Sequence, residues 1–427
     1  MFKSKNRSRG ESRSESVIPR ATDKTANLSV DRKALLFGLA SVFLCGMGFS
    51  IMMPVIPFLV LPYTDPGNQA IMVTLLTSVY ALCVFAAAPG IGALSDRYGR
   101  RPLLLICLAV SAIGYALFGM GGALWVLFAG RILEGLAGGV IGTLFAYFAD
   151  TIPGDQRTRY FGWMGAMVGA GTLIGPSLGG LLANFGYAVP MYAAAVVTLC
   201  NAAFGFFFMK ESLDKNRRSE RIAVAELNPL RQLAALLSAP KLKRLLIAAF
   251  LLWVPNGSLQ AIFSQFTIDA FHWDPVRIGL LFSIMGIQDI LSQGLIMPQL
   301  LKKLGDRQIA RLGMGAEIVG YGLIAASSWF SMYPLLICGM LAFGFGDSIF
   351  GPAFNGMLSK AADASEQGRI QGGSQSVQAL ARMIGPIAGG QAYVLLGHAA
   401  PAVMGMLLIA AAFVVLRRKQ LAKRMAF

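Results

Sequence analysis

Twelve apolar runs recur along this chain, centred near about residues 47, 82, 111, 137, 172, 199, 255, 290, 318, 346, 382 and 409. Each is long enough to cross a bilayer, which takes roughly 20 apolar residues per helix. The runs do not alternate as strands do, and hydrocarbon admits only helices or closed barrels, so each run predicts a membrane-spanning helix. Twelve helices of that length use about 240 residues. That share matches the 56% hydrophobic content of a 427-residue chain with only 14% charged residues. A soluble chain carries roughly 25% charge. Mean hydropathy is +0.61.

The basic residues behind the net charge of +16 sit mostly in short segments flanking the apolar runs. They form neither a helix face nor an aromatic-interleaved patch, which argues against nucleic-acid binding. Basic residues crowd the stretch before the first run and the loops after the second, fourth, eighth, tenth and twelfth, with Arg97, Arg100, Arg101, Arg157, Arg159, Lys302, Lys303, Lys360 and Arg369 among them. The alternate loops, near residues 61–70, 120–123, 185–189, 268–275, 328–333 and 396–400, contain no Lys or Arg. The positive-inside rule then places both termini in the cytoplasm, in the cytoplasmic (inner) membrane of a cell.

The only long charged interruption divides the chain into two sets of six helices. The expected organisation is a disordered tail over 1–33, a first half over 34–209, a cytoplasmic linker over 210–242, a second half over 243–418 and a tail over 419–427. The halves share sequence. Ile174-Gly175-Pro176-Ser177-Leu178-Gly179-Gly180 matches Ile384-Gly385-Pro386-Ile387-Ala388-Gly389-Gly390 at an offset of 210 residues, and the same offset pairs Arg159 with Arg369 and Gly162 with Gly372. A duplicated six-helix unit follows, an arrangement in which transporters place their site at the interface between repeats.

Four carboxylic acids fall inside predicted helices: Glu134, Asp289, Glu317 and Asp347. An ionised carboxylate there costs several kcal/mol unless paired or hydrated. Burial raises proton affinity and a nearby cation lowers it, so such groups can cycle with access to water. Glu134 lies three residues after Arg131, on nearly the same helix face; a static ion pair and a proton-responsive pair both fit. Asn256, Gln260, Gln265, Gln288, Gln293, Gln375, Gln378 and Arg382 are polar groups of the second half that need partners or a wet cavity.

Other chemistry is absent from the pattern. Cys45, Cys83, Cys107, Cys200 and Cys338 lie in apolar runs without metal or redox spacing, and His272 and His398 are the only histidines. No P-loop is present, and no nucleophile–base arrangement points to an enzyme. The sequon at Asn256-Gly257-Ser258 sits inside an apolar helix. No cofactor or metal is expected.

Between the second and third runs stands Gly92-Ala93-Leu94-Ser95-Asp96-Arg97-Tyr98-Gly99-Arg100-Arg101-Pro102. Gly99 permits a sharp turn and Pro102 suits the first turn of a new helix. This string resembles the signature loop G-x-L-x-D-R-x-G-R-R of the major facilitator superfamily. Arg131-Ile132-Leu133-Glu134-Gly135 is similar to that family's R-x-x-q-G motif, and Gly171-Thr172-Leu173-Ile174-Gly175-Pro176 to the G-x-x-x-G-P motif of its antiporters. With Met53-Pro54-Val55-Ile56-Pro57, these resemble the 12-helix drug:proton antiporters. Ala149-Asp150-Thr151, Gln156-Arg157 and Phe161-Gly162-Trp163 resemble the tetracycline-exporter group within them.

The resemblance implies an all-α fold of two pseudo-symmetric six-helix halves and a proton-coupled efflux transporter, acting as a monomer on small molecules in a lipid bilayer. It implies that Asp96, Arg100 and Asp150, with Gly92, Gly99 and Arg101, form a cytoplasmic charge lock that holds the inward-closed state. Arg131 would take part in proton coupling. Gly171, Gly175, Pro176, Gly179 and Gly180 would let helix five bend and pack closely. Asp289 falls where the exporters carry a histidine, and Glu317 where they carry an aspartate, both positions linked to proton coupling. Cys45 replaces an aspartate of the exporters' first helix, which argues against a metal–tetracycline chelate as cargo. An importer or a sugar, metabolite or lipid transporter on the same fold is the alternative, as is a transport-like receptor without coupling.

Overall fold

The computed structural model describes residues 32–152, 157–214, 218, 240–360 and 367–424. Most of the expected tail over 1–33, most of the expected linker over 210–242, and Gln156 lie outside the described residues. So do the side chains of Arg157, Arg159 and Arg369.

Among the described residues the chain is helical and contains no strand. In order, the helices are α1 (Arg32–Ile51, continued by Ile56–Val60), α2 (Gln69–Tyr98), α3 (Arg100–Met120), α4 (Leu124–Leu136 and Val140–Thr151), α5 (Arg157–Leu182) and α6 (Val189–Phe208). The second half holds α7 (Pro240–Phe271), α8 (Pro275–Leu291, continued to Lys303), α9 (Asp306–Phe330), α10 (Tyr333–Lys360), α11 (Gln367–Leu396) and α12 (Ala400–Arg424). Ten of these are long and apolar enough to cross a membrane, and α1 makes an eleventh if its two pieces, bent by 57°, form one span. In α12 the apolar part is the shorter Ala400–Leu416.

Three helices are irregular where the sequence analysis expects continuous spans. The first breaks over Met52–Val55, where Pro54 removes a backbone donor. Helix α4 loosens at Ala137–Gly139, beside two glycines. Helix α8 passes through a π turn at Ser292–Ile296, three residues after Asp289; such turns recur at functional sites. Exposed Ile106, Ile113, Val196, Phe207, Leu295 and Leu407 line the outside, the surface expected of a body solvated by lipid tails rather than water.

Small residues hold the helices together. A side chain on Gly171 would strike the backbone of Phe43, one on Gly175 Ser50 and Met47, and one on Gly179 the carbonyl of Ile51, so this face of α5 lies directly on α1. In the second half Gly385 and Gly389 lie in the same way against Val254 and Ser258 of α7. The next glycine of each run crosses to the other half: Gly180 meets Pro275 of α8, and Gly390 meets Thr74 of α2. Without a hydrophobic force between helices in lipid, such backbone contact is what van der Waals packing needs. Around this frame α4 packs on α1, α2, α3 and α5, and α10 on α7, α8, α9 and α11, each within its own half.

Candidate functional site

The end of the bundle that carries the basic loops is locked within the first half. Gly99 turns the chain with φ +106°, and a Cβ there would collide with the carboxylate of Glu211. Glu211, just after α6, accepts from the backbone N–H of Arg100 at 2.9 Å and of Arg101 at 3.2 Å, satisfying donors that open at the start of any helix. Arg100 reaches Asp96 at 2.6 Å and Asp150 at 3.0 Å. It also donates to Ser95 Oγ, while Ser212 Oγ donates to Asp150 at 3.3 Å. Arg101 turns outward and donates to the carbonyl of Phe206. Gly92 lies on open space. Asp96, Arg100 and Asp150 thus come together, joining α2, α3 and α4 of one half; among the described residues none of the three pairs with the second half.

The duplication carries a counterpart. Asp306, 210 residues after Asp96, pairs with Lys360, 210 residues after Asp150, at 2.5 Å. The acid after α2 is kept in its counterpart, while Asp150 at the end of α4 is replaced by a base, which is why the loop motif alone does not reveal the pair.

At the opposite end the halves meet through polar groups. Gln265 Nε2 donates to Gln69 Oε1 at 3.2 Å and to Asp269 at 2.9 Å, and the Tyr393 hydroxyl donates to the other Asp269 oxygen at 2.7 Å. Gln69 holds the carbonyl of Pro57 at 2.8 Å, and Ser264 donates to the carbonyl of Met53 at 2.7 Å. Ser177 and Ser283 join α5 to α8 at 2.5 Å. These contacts close this end, and they lie beyond the level of the cavity described next.

That cavity, about 680 Å³, lies between the halves and is walled by α1 to α7 and α11. Its surface is mostly apolar, with Phe49, Phe85, Leu108 and Ile141, and it is broken by Cys45, Thr77, Tyr80, Tyr115, Glu134, Asn201, Gln260, Gln375, Gln378 and Arg382. Cys45, the departure from the exporter pattern, is therefore part of the cavity wall. A second, smaller space of about 230 Å³ adjoins it within the second half. Asp289, Gln293 and Asp347 line that space, and Gln375 and Gln378 of α11 stand on both.

Two carboxylate environments result. Arg131 and Glu134 are 1% and 3% exposed and pair at 2.7 Å. Arg131 is wrapped by the Tyr80 ring 4.3 Å from its guanidinium carbon, the Phe118 ring and the Met52 sulfur. Glu317 is 0% exposed, packs against Gly346, and makes no hydrogen bond within 3.5 Å through either oxygen. Its polar neighbour Asn256 is occupied elsewhere, donating to Asp347 at 2.8 Å and accepting from the Tyr321 hydroxyl at 3.1 Å. Asp289 accepts from Gln293 at 2.8 Å. Glu317, Asp347 and Asp289 thus belong to α9, α10 and α8 of one half, without an ion pair among the described residues.

The sequence reasoning did not single out Glu211, Tyr321, Gln69, Asp269 or Tyr393. Only Asp269 carried a readable signal, an acid at the edge of an apolar run.

The family model of the Major Facilitator Superfamily matches residues 38–386 and 245–423. The chain belongs to this superfamily. Among curated relatives of this major facilitator, the class C tetracycline resistance protein of Escherichia coli is 34% identical over 355 residues, 83% of this chain and 88% of that one. The class G protein of Vibrio anguillarum is 32% identical over 364 residues, 83% and 89%. Multidrug resistance protein 2 of Bacillus subtilis is 25% identical over 356 residues, 82% and 86%. Of solved structures, a human organic anion transporter has TM-score 0.69 at 23% identity, covering 90% of this chain and 99% of that one. A nucleoside transporter has TM-score 0.72 at 16% identity, covering 91% and 99%. At those identities the structures speak for the fold alone.

Proposed function

We propose that this major facilitator exports small amphipathic molecules, of the tetracycline and multidrug type, in exchange for protons. It works as a monomer in the cytoplasmic membrane, with both termini in the cytoplasm. The observation that carries the reading is Glu317, a fully buried carboxyl group that, among the described residues, makes no hydrogen bond within 3.5 Å and no ion pair. Transferring a proton to such a group removes a charge that hydrocarbon penalises, so its protonation is tied to whether water reaches it.

Asp347 and Asp289 give the proton further stations, the first beside Asn256 and both on the smaller polar space that adjoins the cavity. Arg131 and Glu134 form the corresponding charged element of the first half. The halves would alternate between the arrangement described above, closed at the end of Gln69, Gln265 and Asp269, and one closed at the basic end. The tetracycline resistance and multidrug relatives support export over import, and Cys45 in the cavity wall argues for cargo recognised without a bound metal.

The test is efflux of tetracycline and of rhodamine dyes from proteoliposomes under an imposed pH gradient. Accumulation against the concentration gradient is expected, abolished by a protonophore. Transport indifferent to collapse of the pH gradient would remove the proton-coupling claim, and net uptake driven down the proton gradient would make it an importer.

A further inference from the structure

The two arginines near the cavity are treated very differently. Arg131 is ion-paired and enclosed: a carboxylate, an aromatic face and a thioether surround its guanidinium, with Nε left without an acceptor among the described residues. Arg382, in the middle of α11, is exposed and lines the cavity. Among the described residues it makes no hydrogen bond within 3.5 Å and no ion pair within 4.0 Å. Asp347 is the carboxylate that acts on it electrostatically. Asp347, however, is held by Asn256 and faces the smaller space.

An arginine stays charged at any working pH, and its planar fork matches carboxylate oxygens two at a time. Left unpaired among apolar walls at membrane depth, it is an expensive group and by default marks a site. Gln378 and Gln375 stand four and seven residues earlier on α11, on the same helix face, and also line the cavity. They add amide donors beside the guanidinium.

We infer that Arg382 anchors an acidic oxygen of the cargo, so that the molecules carried bear a carboxylate or comparable anionic group on an otherwise apolar body. This rests on the exporter reading and names the substrate class for its cavity. The carboxylate would lie against the guanidinium and the two glutamines, with the apolar body along Phe49, Phe85 and Ile141.

The test uses rhodamine B and its ethyl ester, two dyes that differ in whether the carboxylate is free. Binding to the purified full-length chain in lipid nanodiscs is read by fluorescence polarisation. Wild type should prefer the acid by about tenfold or more, a difference of about 1.4 kcal/mol. Arg382→Gln should erase the preference, and Arg382→Lys should keep part of it. A wild type with no preference, or a preference that survives Arg382→Gln, overturns the inference. So does recovery of the preference in Arg382→Gln/Asp347→Asn, which would make Arg382 a counter-charge for Asp347 only. Failure of the exporter reading looks different: the acid preference and its loss in Arg382→Gln persist, while dye movement ignores the pH gradient.

Discussion

The two halves of this chain descend from one pattern, yet they handle buried charge in opposite ways. In the first, Glu134 has its cation three residues away on the same helix, and the pair is packed behind Tyr80 and Met52. In the second, Glu317, Asp347 and Asp289 sit on three helices with amides and a tyrosine around them and no ion pair among the described residues. The same burial therefore stores charge in one half and exposes it to change in the other. A duplicated fold can thus divide its work, one half serving as a charged anchor and the other as the titrating element.

Substitutions can break this comparison. Arg131→Gln strands Glu134 in a buried site, and removing one partner of such a pair costs about 3–5 kcal/mol. Thermal unfolding of the purified protein should show that loss, and Arg131→Gln/Glu134→Gln should recover most of it. If the single variant is as stable as wild type, the first half is not anchored by this pair. Gly99→Ala follows, at about 1–3 kcal/mol for an L-residue in a backbone region that is essentially glycine's alone, with added collision against Glu211; the same melting experiment measures it.

Tyr393→Phe deletes one hydrogen bond to Asp269 and should cost about 0.5–1.5 kcal/mol. Its more telling readout is accelerated labelling of a cysteine introduced near Gln265, because the closed end is then held less firmly. Unchanged labelling would separate that bond from closure. Glu317→Gln should move stability least, within about 1 kcal/mol, since no hydrogen bond or cation is lost. It should nevertheless abolish pH-gradient-driven efflux while leaving dye binding intact. A large loss of stability with coupling preserved would reverse the roles assigned to the two halves.

Much of this was legible in the linear sequence because bilayer physics writes in long strings. Apolar runs, loop charges and the repeated Gly-Pro-x-x-Gly-Gly segments each occupy contiguous residues. The acids of α8, α9 and α10 stood out because hydrocarbon makes any carboxylate conspicuous. What stayed hidden depends on partners far apart in the chain. Gln265 meets Gln69 across 196 residues, and Tyr393 meets Asp269 across 124; neither glutamine nor tyrosine announces a partner. Glu211 is one acid within a charged stretch, and only the turn at Gly99 shows that it caps a helix 111 residues earlier. The difference between Arg131 and Arg382 was equally invisible, because whether a guanidinium finds a carboxylate is a property of its surroundings.

The glycines that cross between the halves have a mechanical consequence. Gly180 on Pro275 and Gly390 on Thr74 are two fulcrums, and two fulcrums define an axle. From each fulcrum its helix runs back 23 residues, to Arg157 in one and Gln367 in the other, a lever arm of about 35 Å at 1.5 Å per residue. Turning about a single axle is one degree of freedom: whatever spreads one end of the levers draws the other together. A continuous pore through the membrane would then require lifting a half off its axle, not merely swinging it, and the absent side chains at Gly180 and Gly390 are what let the halves seat there.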